Sequence, residues 1–518
     1  MDLFPIAKKI AEEARNRREA EGIKRKISKE LKLSRFPSNA EILKSAEGTD
    51  IYPKLKEILR VKPVRTVSGV AVVSVMSSPA NCPHGKCVPC PGGVEFGTPQ
   101  SYTGLEPAAM RGIQYSFDPF KQVFNRLLEL ESLGHDVSKV EVIVMGGTFI
   151  ARDKEYRDSF ILNIYNALNI YKKKIDLSKS LEEAKSKNEH AFARCVGLTF
   201  ETRPDYAREE HISEMLFYGG TKVELGVQSI YDDVLEKIER GHRVSETIEA
   251  TRLLKDFAFK VGYHLMPGLP GSNFEKDLKM FKEIFENENF KPDYLKIYPT
   301  LVIKGTKLYE MWKKGEYEPY TTEEVVELIA KAKKFFPEWV RVQRVQRDIP
   351  VKVAIGLEKG NIRQLVKERL KDLGYSCRCI RCREVGHKGV PIEEYKRAEL
   401  FVRKYKASKG EEYFISFEIP DFDALIGFVR LRFPYKTSIE NCALIRELHV
   451  YGKAVGIGLE SDAFQHRGFG ERLLAEAENI AKEKYDEVAV ISGVGARPYY
   501  RKFGYEKIGE YMVKKLNR

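Results

Sequence analysis

No run of about 18 uninterrupted apolar residues occurs in the 518-residue chain, which excludes a bilayer-spanning helix. The first residues, Met1-Asp2-Leu3-Phe4-Pro5-Ile6-Ala7-Lys8-Lys9, lack the apolar core of a secretory signal. Cysteine is scarce: there are eight, and six of them fall in two tight clusters. Scattered pairs would suit disulfides, whereas clusters suit metal ligation in a reducing compartment, here expected to be the cytoplasm. Acidic residues are in the minority, 75 Asp and Glu against 88 Lys and Arg, for a net charge of +13. That balance favours a polyanionic partner, nucleic acid first, with a solvated lysine-rich surface as the plain alternative. The length exceeds a single ordinary core, so two or three domains are expected.

Residues 1–40 hold 11 Lys and Arg against 6 Asp and Glu. Arg15, Arg17, Arg18, Lys24, Arg25, Lys26 and Lys29 lie in a helix-compatible stretch before any core strand. Residues 1–65 are therefore expected to form a basic arm that contacts a phosphate backbone, which needs charge more than fixed geometry.

The chemistry begins at Cys82-Pro-His-Gly-Lys-Cys87-Val-Pro-Cys90-Pro-Gly-Gly93. Three thiols in one short loop can each bind one iron of a [4Fe-4S] cluster, leaving a fourth iron open. An open iron is what S-adenosylmethionine chemistry requires, because it grips the methionyl amino and carboxylate groups. Zinc is the competing reading, since Cys-x2-Cys is also a zinc pair; His84 is nearby but a second cysteine pair is not.

Six short apolar runs follow the pattern of a parallel sheet: Thr66–Ser77, Val140–Met145, Cys195–Phe200, Lys222–Val227, Val261–Leu265 and Tyr294–Tyr298. Helical stretches such as Asp118–Leu133 and Val244–Phe257 alternate with them, which implies an α/β fold, a partial (β/α)6 barrel over residues 66–345. Barrel chemistry gathers at strand C-terminal ends, and here those ends carry the cysteine loop, Gly146-Gly147, Glu201-Thr-Arg203, Gln228 and Met266-Pro-Gly-Leu-Pro270. From position, Gly146 and Gly147 would bind the methionyl amino group through backbone. Glu201, Arg203, Glu224 and Gln228 would bind its carboxylate and ribose. This ring of polar strand ends favours the cluster over zinc.

Residues 346–392 read as a linker carrying a second triad, Cys377-Arg-Cys379-Ile-Arg-Cys382, preceded by the basic segment Arg341-Val-Gln-Arg-Val-Gln-Arg-Asp-Ile-Pro350. No strand–glycine loop surrounds these thiols, so a structural zinc is the preferred reading, with His387, His264 or Cys442 open as fourth ligand and an uncoordinated thiol group as the alternative. From residue 393 to 518 the pattern becomes longer and alternating, as in an α+β, mostly antiparallel domain. Gln465-His-Arg-Gly468-Phe469-Gly470 then leads into an amphipathic helix from Glu471, offering backbone N–H groups and a helix N-terminus to a pyrophosphate. The following strand and Tyr499-Tyr500 complete the order by which GCN5-related acetyltransferases seat acetyl-coenzyme A. A tyrosine there could protonate or orient the thiolate.

Taken together, the motifs make the chain similar to the catalytic subunit of Elongator. The resemblance rests on the cysteine loop, Gln100-Ser-Tyr-Thr-Gly-Leu-Glu-Pro107, Val144-Met-Gly-Gly-Thr-Phe149, Glu201-Thr-Arg-Pro-Asp-Tyr206 and Glu224-Leu-Gly-Val-Gln-Ser229. It extends through Tyr298-Pro-Thr-Leu-Val-Ile303, Val345-Gln-Arg-Asp-Ile-Pro350, Arg446-Glu-Leu-His-Val-Tyr-Gly452 and Ile491-Ser-Gly-Val-Gly495 to Tyr499-Tyr-Arg-Lys-Phe-Gly-Tyr505. It covers nearly everything from residue 60 onward. Two departures stand out: the four-residue gap between Cys82 and Cys87, shorter than in eukaryotic members, and the Cys377 triad, which those members lack.

The resemblance implies a tRNA-modifying enzyme that attaches carbon from acetyl-coenzyme A to C5 of the wobble uridine by radical S-adenosylmethionine chemistry, giving 5-carboxymethyluridine. A deoxyadenosyl radical would take a hydrogen from the acetyl methyl, and the carbon radical would add to the base. Cys82, Cys87 and Cys90 would hold the cluster. Lys139 would handle the thioester. Glu447, Leu448, His449, Val450, Phe469, Gly470, Glu471 and Tyr500 would contact acetyl-coenzyme A, Tyr500 positioning it. Partners implied are tRNA through its anticodon stem-loop and an electron donor; oligomeric state stays open, a homodimer included. Two rivals are a protein lysine acetyltransferase with a structural iron–sulfur domain and a non-catalytic tRNA-binding subunit.

Overall fold

The computed structural model describes residues 2–31, 33, 35–61, 66–436, 439–452 and 468–516. Gln465, assigned above to the coenzyme loop, lies outside them. Among the described residues no helix is long and apolar enough to cross a membrane.

The N-terminal segment holds four helices, α1 (Phe4–Glu13), α2 (Arg17–Glu30), α3 (Asn39–Ser45) and α4 (Tyr52–Leu59). Local chemistry sets their starts. Asn16 accepts from the Glu19 N–H at 3.1 Å, Ser38 and Glu41 form a reciprocal capping box, and Pro5 and Pro53 occupy first turns. Ile6, Ile10, Ile42, Leu43, Leu55 and Leu59 close a core of their own. The expected arm is thus a folded four-helix unit. Lys24, counted above among the phosphate-facing residues, is instead buried, donating to Asn39 Oδ1 at 2.7 Å and pairing with Glu21.

The central sheet is parallel throughout, in the order β1 (Ala71–Met76), β2 (Lys139–Met145), β3 (Arg194–Thr202), β4 (Lys222–Gln228), β5 (Lys260–Leu265), β6 (Tyr294–Ile297) and, past a small two-residue strand β7 (Val302–Ile303), β8 (Arg341–Arg344). All six expected strands are present, and β8 makes a seventh where the sequence suggested a connector. Its four residues include three that are polar, and only Val342 is fully buried, so no apolar run announces it. Strand β7 pairs with β9 (Ala354–Ile355) outside the main sheet. Register brings functional positions side by side: Val72 opposite Glu141, Glu201 opposite Glu224, and His264 opposite Lys296.

The second sheet runs β10 (Glu399–Ala407), β11 (Gly410–Ile419), β12 (Ala424–Phe433), β13 (Cys442–Val450), β14 (Glu487–Val490), β16 (Tyr511–Lys515), β15 (Glu506–Ile508). All pairs are antiparallel except β13 with β14. The helix Phe469–Ala481 packs across β11, β12 and β13.

A buried ion network joins the two sheets. The Arg446 guanidinium donates to both Asp293 carboxylate oxygens at 2.7 Å and to Glu412 Oε2 at 2.8 Å. Arg432 bridges Asp256 (2.6 Å) and Glu412 (3.0 Å), and Arg430 holds Glu447 (2.8 Å) while Tyr294 donates to the same carboxylate. Burial alone would raise the Asp293 carboxyl, but Arg446, Lys255 and Arg430 outweigh it and hold the group far below its usual range. The loop after β14 also lies directly on β3: a Cβ on Gly493 would sit 2.2 Å from the Val196 carbonyl oxygen, a clash only glycine avoids. Replacing Arg446 by Met leaves two buried carboxylates short of their partner. We expect a loss of about 3–5 kcal/mol, read by chemical denaturation.

Candidate functional site

Two cavities lie at opposite ends of the parallel sheet. The first, about 390 Å³, is at the strand C-terminal ends and is lined by Cys82, Cys87, Cys90, Gly147, Glu201, Arg203, Glu224 and Gln228. Gly146 does not line it; with φ +123° it packs behind, its carbonyl accepting from Ser77 Oγ at 3.2 Å, and an added Cβ would come within 2.3 Å of that oxygen. Gln228 adopts φ +67°, rare for a side chain of its size, and its buried Oε1 has no partner. A strained residue with an unpaired acceptor at a cavity wall is suited to a ligand's N–H or O–H.

Each loop thiol has a polar neighbour: Cys82 Sγ lies 4.0 Å from Thr148 Oγ1, Cys90 Sγ 3.3 Å from Ser101 Oγ, and Cys87 Sγ 3.1 Å from His84 Nε2. Burial pushes the Cys82 and Cys90 thiols up, which a bound cation would reverse. These three sulfurs do not gather within 4.8 Å of one another, whereas those of Cys377, Cys379 and Cys382 do. A single zinc with Zn–S bonds of about 2.3 Å draws its sulfurs to about 3.8 Å apart; ligands to three separate irons stand wider. The second triad is thus close enough for its three sulfurs to share one ion, and the first is not.

Charge lines the floor of this cavity. Glu224 is fully buried and meets Lys296, Lys222 (3.5 Å) and His264 (3.0 Å). Burial would raise its carboxyl, but Lys296 and Lys222 win and hold it well below the usual range. Glu201 accepts from Lys296 at 3.0 Å and from the Tyr102 hydroxyl at 2.9 Å. Arg203 is spent internally, forked onto Asp205 at 2.8 Å and bonded to the Arg240 carbonyl. Lys296, Tyr102, Tyr298 and Arg240 were not assigned to this site from the sequence, and His264 was weighed only as a ligand to the second triad. The available signal was a lysine and a histidine set inside otherwise apolar strands.

The second cavity, about 430 Å³, opens at the strand N-terminal ends against the second sheet. Lys139, Glu447, Leu448, His449, Val450 and Tyr500 all line it. Its shape follows from the parallel β13–β14 pair. Pairing stops at Ile445 with Val490, Ile491 N–H still reaching the Ile445 carbonyl at 3.2 Å, while β13 runs on to Val450. Past that point the strands part, leaving a wedge between Glu447–Val450 and Ile491–Gly493 that an extended amide-bearing arm can enter. Glu447 is held by Arg430 and Tyr294, and His449 Nε2 bonds the Ser68 carbonyl at 3.1 Å. Burial lowers the Lys139 ammonium pKa and raises the Tyr500 hydroxyl. Phe469, Gly470 and Glu471 begin the helix Phe469–Ala481 after Gly468, beside Tyr499 on the rim.

None of the three candidates for a fourth ligand to Cys377, Cys379 and Cys382 joins them. His387 pairs with Glu384 at 2.8 Å, His264 belongs to the first cavity, and Cys442 lies 3.6 Å from Glu487. The buried side chain found there is Lys333, its Nζ 3.2 Å from Cys377 Sγ. Burial opposes its charge, but the three sulfurs outweigh burial and raise its pKa.

A three-thiol loop on a parallel half-barrel, fused to a splayed acetyltransferase sheet, defines a radical S-adenosylmethionine protein with an acetyltransferase domain. The sequence matches the Radical SAM superfamily over residues 77–284, the Radical SAM C-terminal domain over 292–372, the ELP3 N-terminal domain over 4–67 and the acetyltransferase (GNAT) domain over 460–516. It is 54% identical to the tRNA uridine(34) acetyltransferase of Methanocaldococcus jannaschii, covering 93% of this chain and 90% of that one. It is 47% identical to human Elongator complex protein 3, covering 95% and 92%. The solved structure of archaeal Methanocaldococcus infernus Elp3, lacking residues 1–46, superposes with a TM-score of 0.76 at 48% identity, over 87% of this chain and 100% of that one. The chain belongs to the Elongator complex protein 3 family.

Gly146→Ala forces a Cβ into Ser77 at an unfavourable φ. We expect about 1–3 kcal/mol of destabilisation and a lower midpoint in thermal unfolding.

Proposed function

We propose that this protein modifies the wobble uridine of tRNA at C5, taking its new carbon from acetyl-coenzyme A to give 5-carboxymethyluridine. The observation that carries the reading is the pairing of the two cavities in one packed body: a cluster-type thiol loop at one end of the half-barrel and an acyl-coenzyme wedge at the other. A [4Fe-4S] cluster on Cys82, Cys87 and Cys90, with S-adenosylmethionine, would supply a 5′-deoxyadenosyl radical. Gln228, Gly147 and Glu201 would orient the methionine and ribose portions, with Lys296 and Tyr102 fixing the Glu201 carboxylate. Glu224 acts chiefly through Lys296 and His264, since its oxygens are already engaged.

At the other end, the open edges of β13 and the Ser492 loop would take the pantetheine amides. Gly468, Phe469, Gly470 and Glu471 would present the helix start to the pyrophosphate. Lys139 would hold the thioester carbonyl and Tyr500 would position the coenzyme's sulfur. The uridine must leave its stack to reach the barrel mouth, which a single-stranded anticodon loop permits cheaply. Exposed Arg17, Arg18, Arg25 and Lys29 on α2 suit the tRNA backbone, so affinity should fall steeply with salt. An external electron donor would reduce the cluster, and the free thiols suit the cytoplasm. Zinc on Cys377, Cys379 and Cys382 would have its excess negative charge balanced by Lys333.

The test is anaerobic turnover of the reconstituted protein with dithionite, S-adenosylmethionine, acetyl-coenzyme A and tRNA, followed by mass analysis of the nucleosides. We expect a carboxymethyl mass gain on uridine that requires acetyl-coenzyme A. Cys87→Ala should abolish both it and 5′-deoxyadenosine while tRNA binding persists. Modification that survives in Cys87→Ala would defeat the reading. Separately, Cys379→Ser should reduce zinc from stoichiometric to background by elemental analysis, with iron content unchanged.

A further inference from the structure

Two stretches singled out in the sequence, residues 100–107 and the basic segment 341–350, meet at the first cavity. Residues 98–106 form a strap laid against the cysteine loop. Thr98 bridges to Gly93, and a Cβ on Gly92 would lie 2.0 Å from the Tyr102 carbonyl oxygen, so strap and loop touch backbone to backbone. The Ser101 N–H donates to the Pro91 carbonyl at 3.0 Å, and Gln100 Oε1 accepts from the Cys82 N–H at 3.4 Å. Ser101, Tyr102 and Glu106 line the cavity.

Ser101 is the unusual residue of the strap. It adopts φ +77°, a left-handed conformation uncommon for a residue with a side chain. Arg347, 246 residues further along the chain, holds it there: the guanidinium donates to the Ser101 carbonyl and lies 3.8 Å from the Glu106 carboxylate. Glu106 accepts from the Thr103 and Gly104 N–H groups at 3.1 Å, which closes the far end of the strap. So held, Ser101 places its hydroxyl 3.3 Å from Cys90 Sγ. A thiolate bound to iron can only accept, so the hydroxyl would be the donor of that pair.

We propose that Ser101 is a positioning residue for the iron–sulfur cluster: latched by Arg347, it donates to the Cys90 sulfur and raises the cluster's reduction potential. This rests on the cluster reading proposed above. A hydrogen bond to a ligating sulfur draws off electron density and favours the reduced cluster over the oxidised one.

The test is an anaerobic redox titration of the reconstituted full chain without S-adenosylmethionine, read by electron paramagnetic resonance of the reduced cluster. Ser101→Gly removes the hydroxyl and suits φ +77°; Ser101→Ala, which keeps the Cβ, is the second variant. At full iron content we expect the reduced-to-oxidised ratio at a fixed potential to fall at least tenfold, a midpoint lower by about 59 mV for one electron. Arg347→Met should also lower the midpoint, and should lower it less when added to Ser101→Gly, because it acts through the serine. An unmoved midpoint in both serine variants overturns the proposal, as do equal shifts from Arg347→Met in the two backgrounds. Lost iron with an unmoved midpoint in the remaining cluster marks a merely structural role and overturns it as well. If the unaltered protein takes up no cluster, the cluster reading falls and this one with it.

Discussion

The Arg446–Asp293–Glu412 network is the constraint on which the rest depends. Its members are fully buried and come from both sheets: Asp293 precedes β6, while Glu412 and Arg446 belong to β11 and β13. Charges so placed are tolerable only if every partner is present, so the two sheets must meet in one register. That register sets where the β13–β14 wedge opens, and hence which barrel strands face it. Arg430 extends the lock to Glu447 at the wedge itself. The geometry of the coenzyme pocket is thereby tied to the stability of the domain interface.

Inside the half-barrel the same logic serves a different end. Lys222, Lys296, Glu141, Glu201 and Glu224 alternate in sign along the interior, each held by a neighbour of opposite charge. An apolar filling would have closed the barrel, as aliphatic side chains do in complete eight-stranded barrels. Here paired charges take those interior positions, and a cavity lies on either side of them. The cost of burying them is offset pair by pair, which explains why Glu224 stays ionised in a site with no exposure.

Much of this was legible in the chain. The six apolar runs reported their strands to within a few residues because buried parallel strands are continuous and bounded by glycine or proline. The cysteine loop, the strand-end motifs and the Tyr499-Tyr500 turn reported their cavities because chemistry at strand ends is encoded locally. Strand β8 escaped because Arg341, Gln343 and Arg344 face a polar interior and imitate a basic linker. The N-terminal unit was read as an arm because its charge outweighed the spacing of Ile6, Ile10, Ile42 and Leu55, which meet only after four short helices pack. The second triad was legible as a gathered group of thiols, but its surroundings were not: Lys333 lies 44 residues from Cys377.

The sequence by itself determined the order of elements, the two thiol triads, the glycine positions and the family, since each depends on residues near one another in the chain. The tertiary structure alone decided which carboxylates are free and which are engaged, that Gly146 packs behind the site, and that His264 faces the first cavity instead of the second triad. These properties depend on side chains from strands hundreds of residues apart, and their charge, exposure and partners exist only once the sheets have curled and docked.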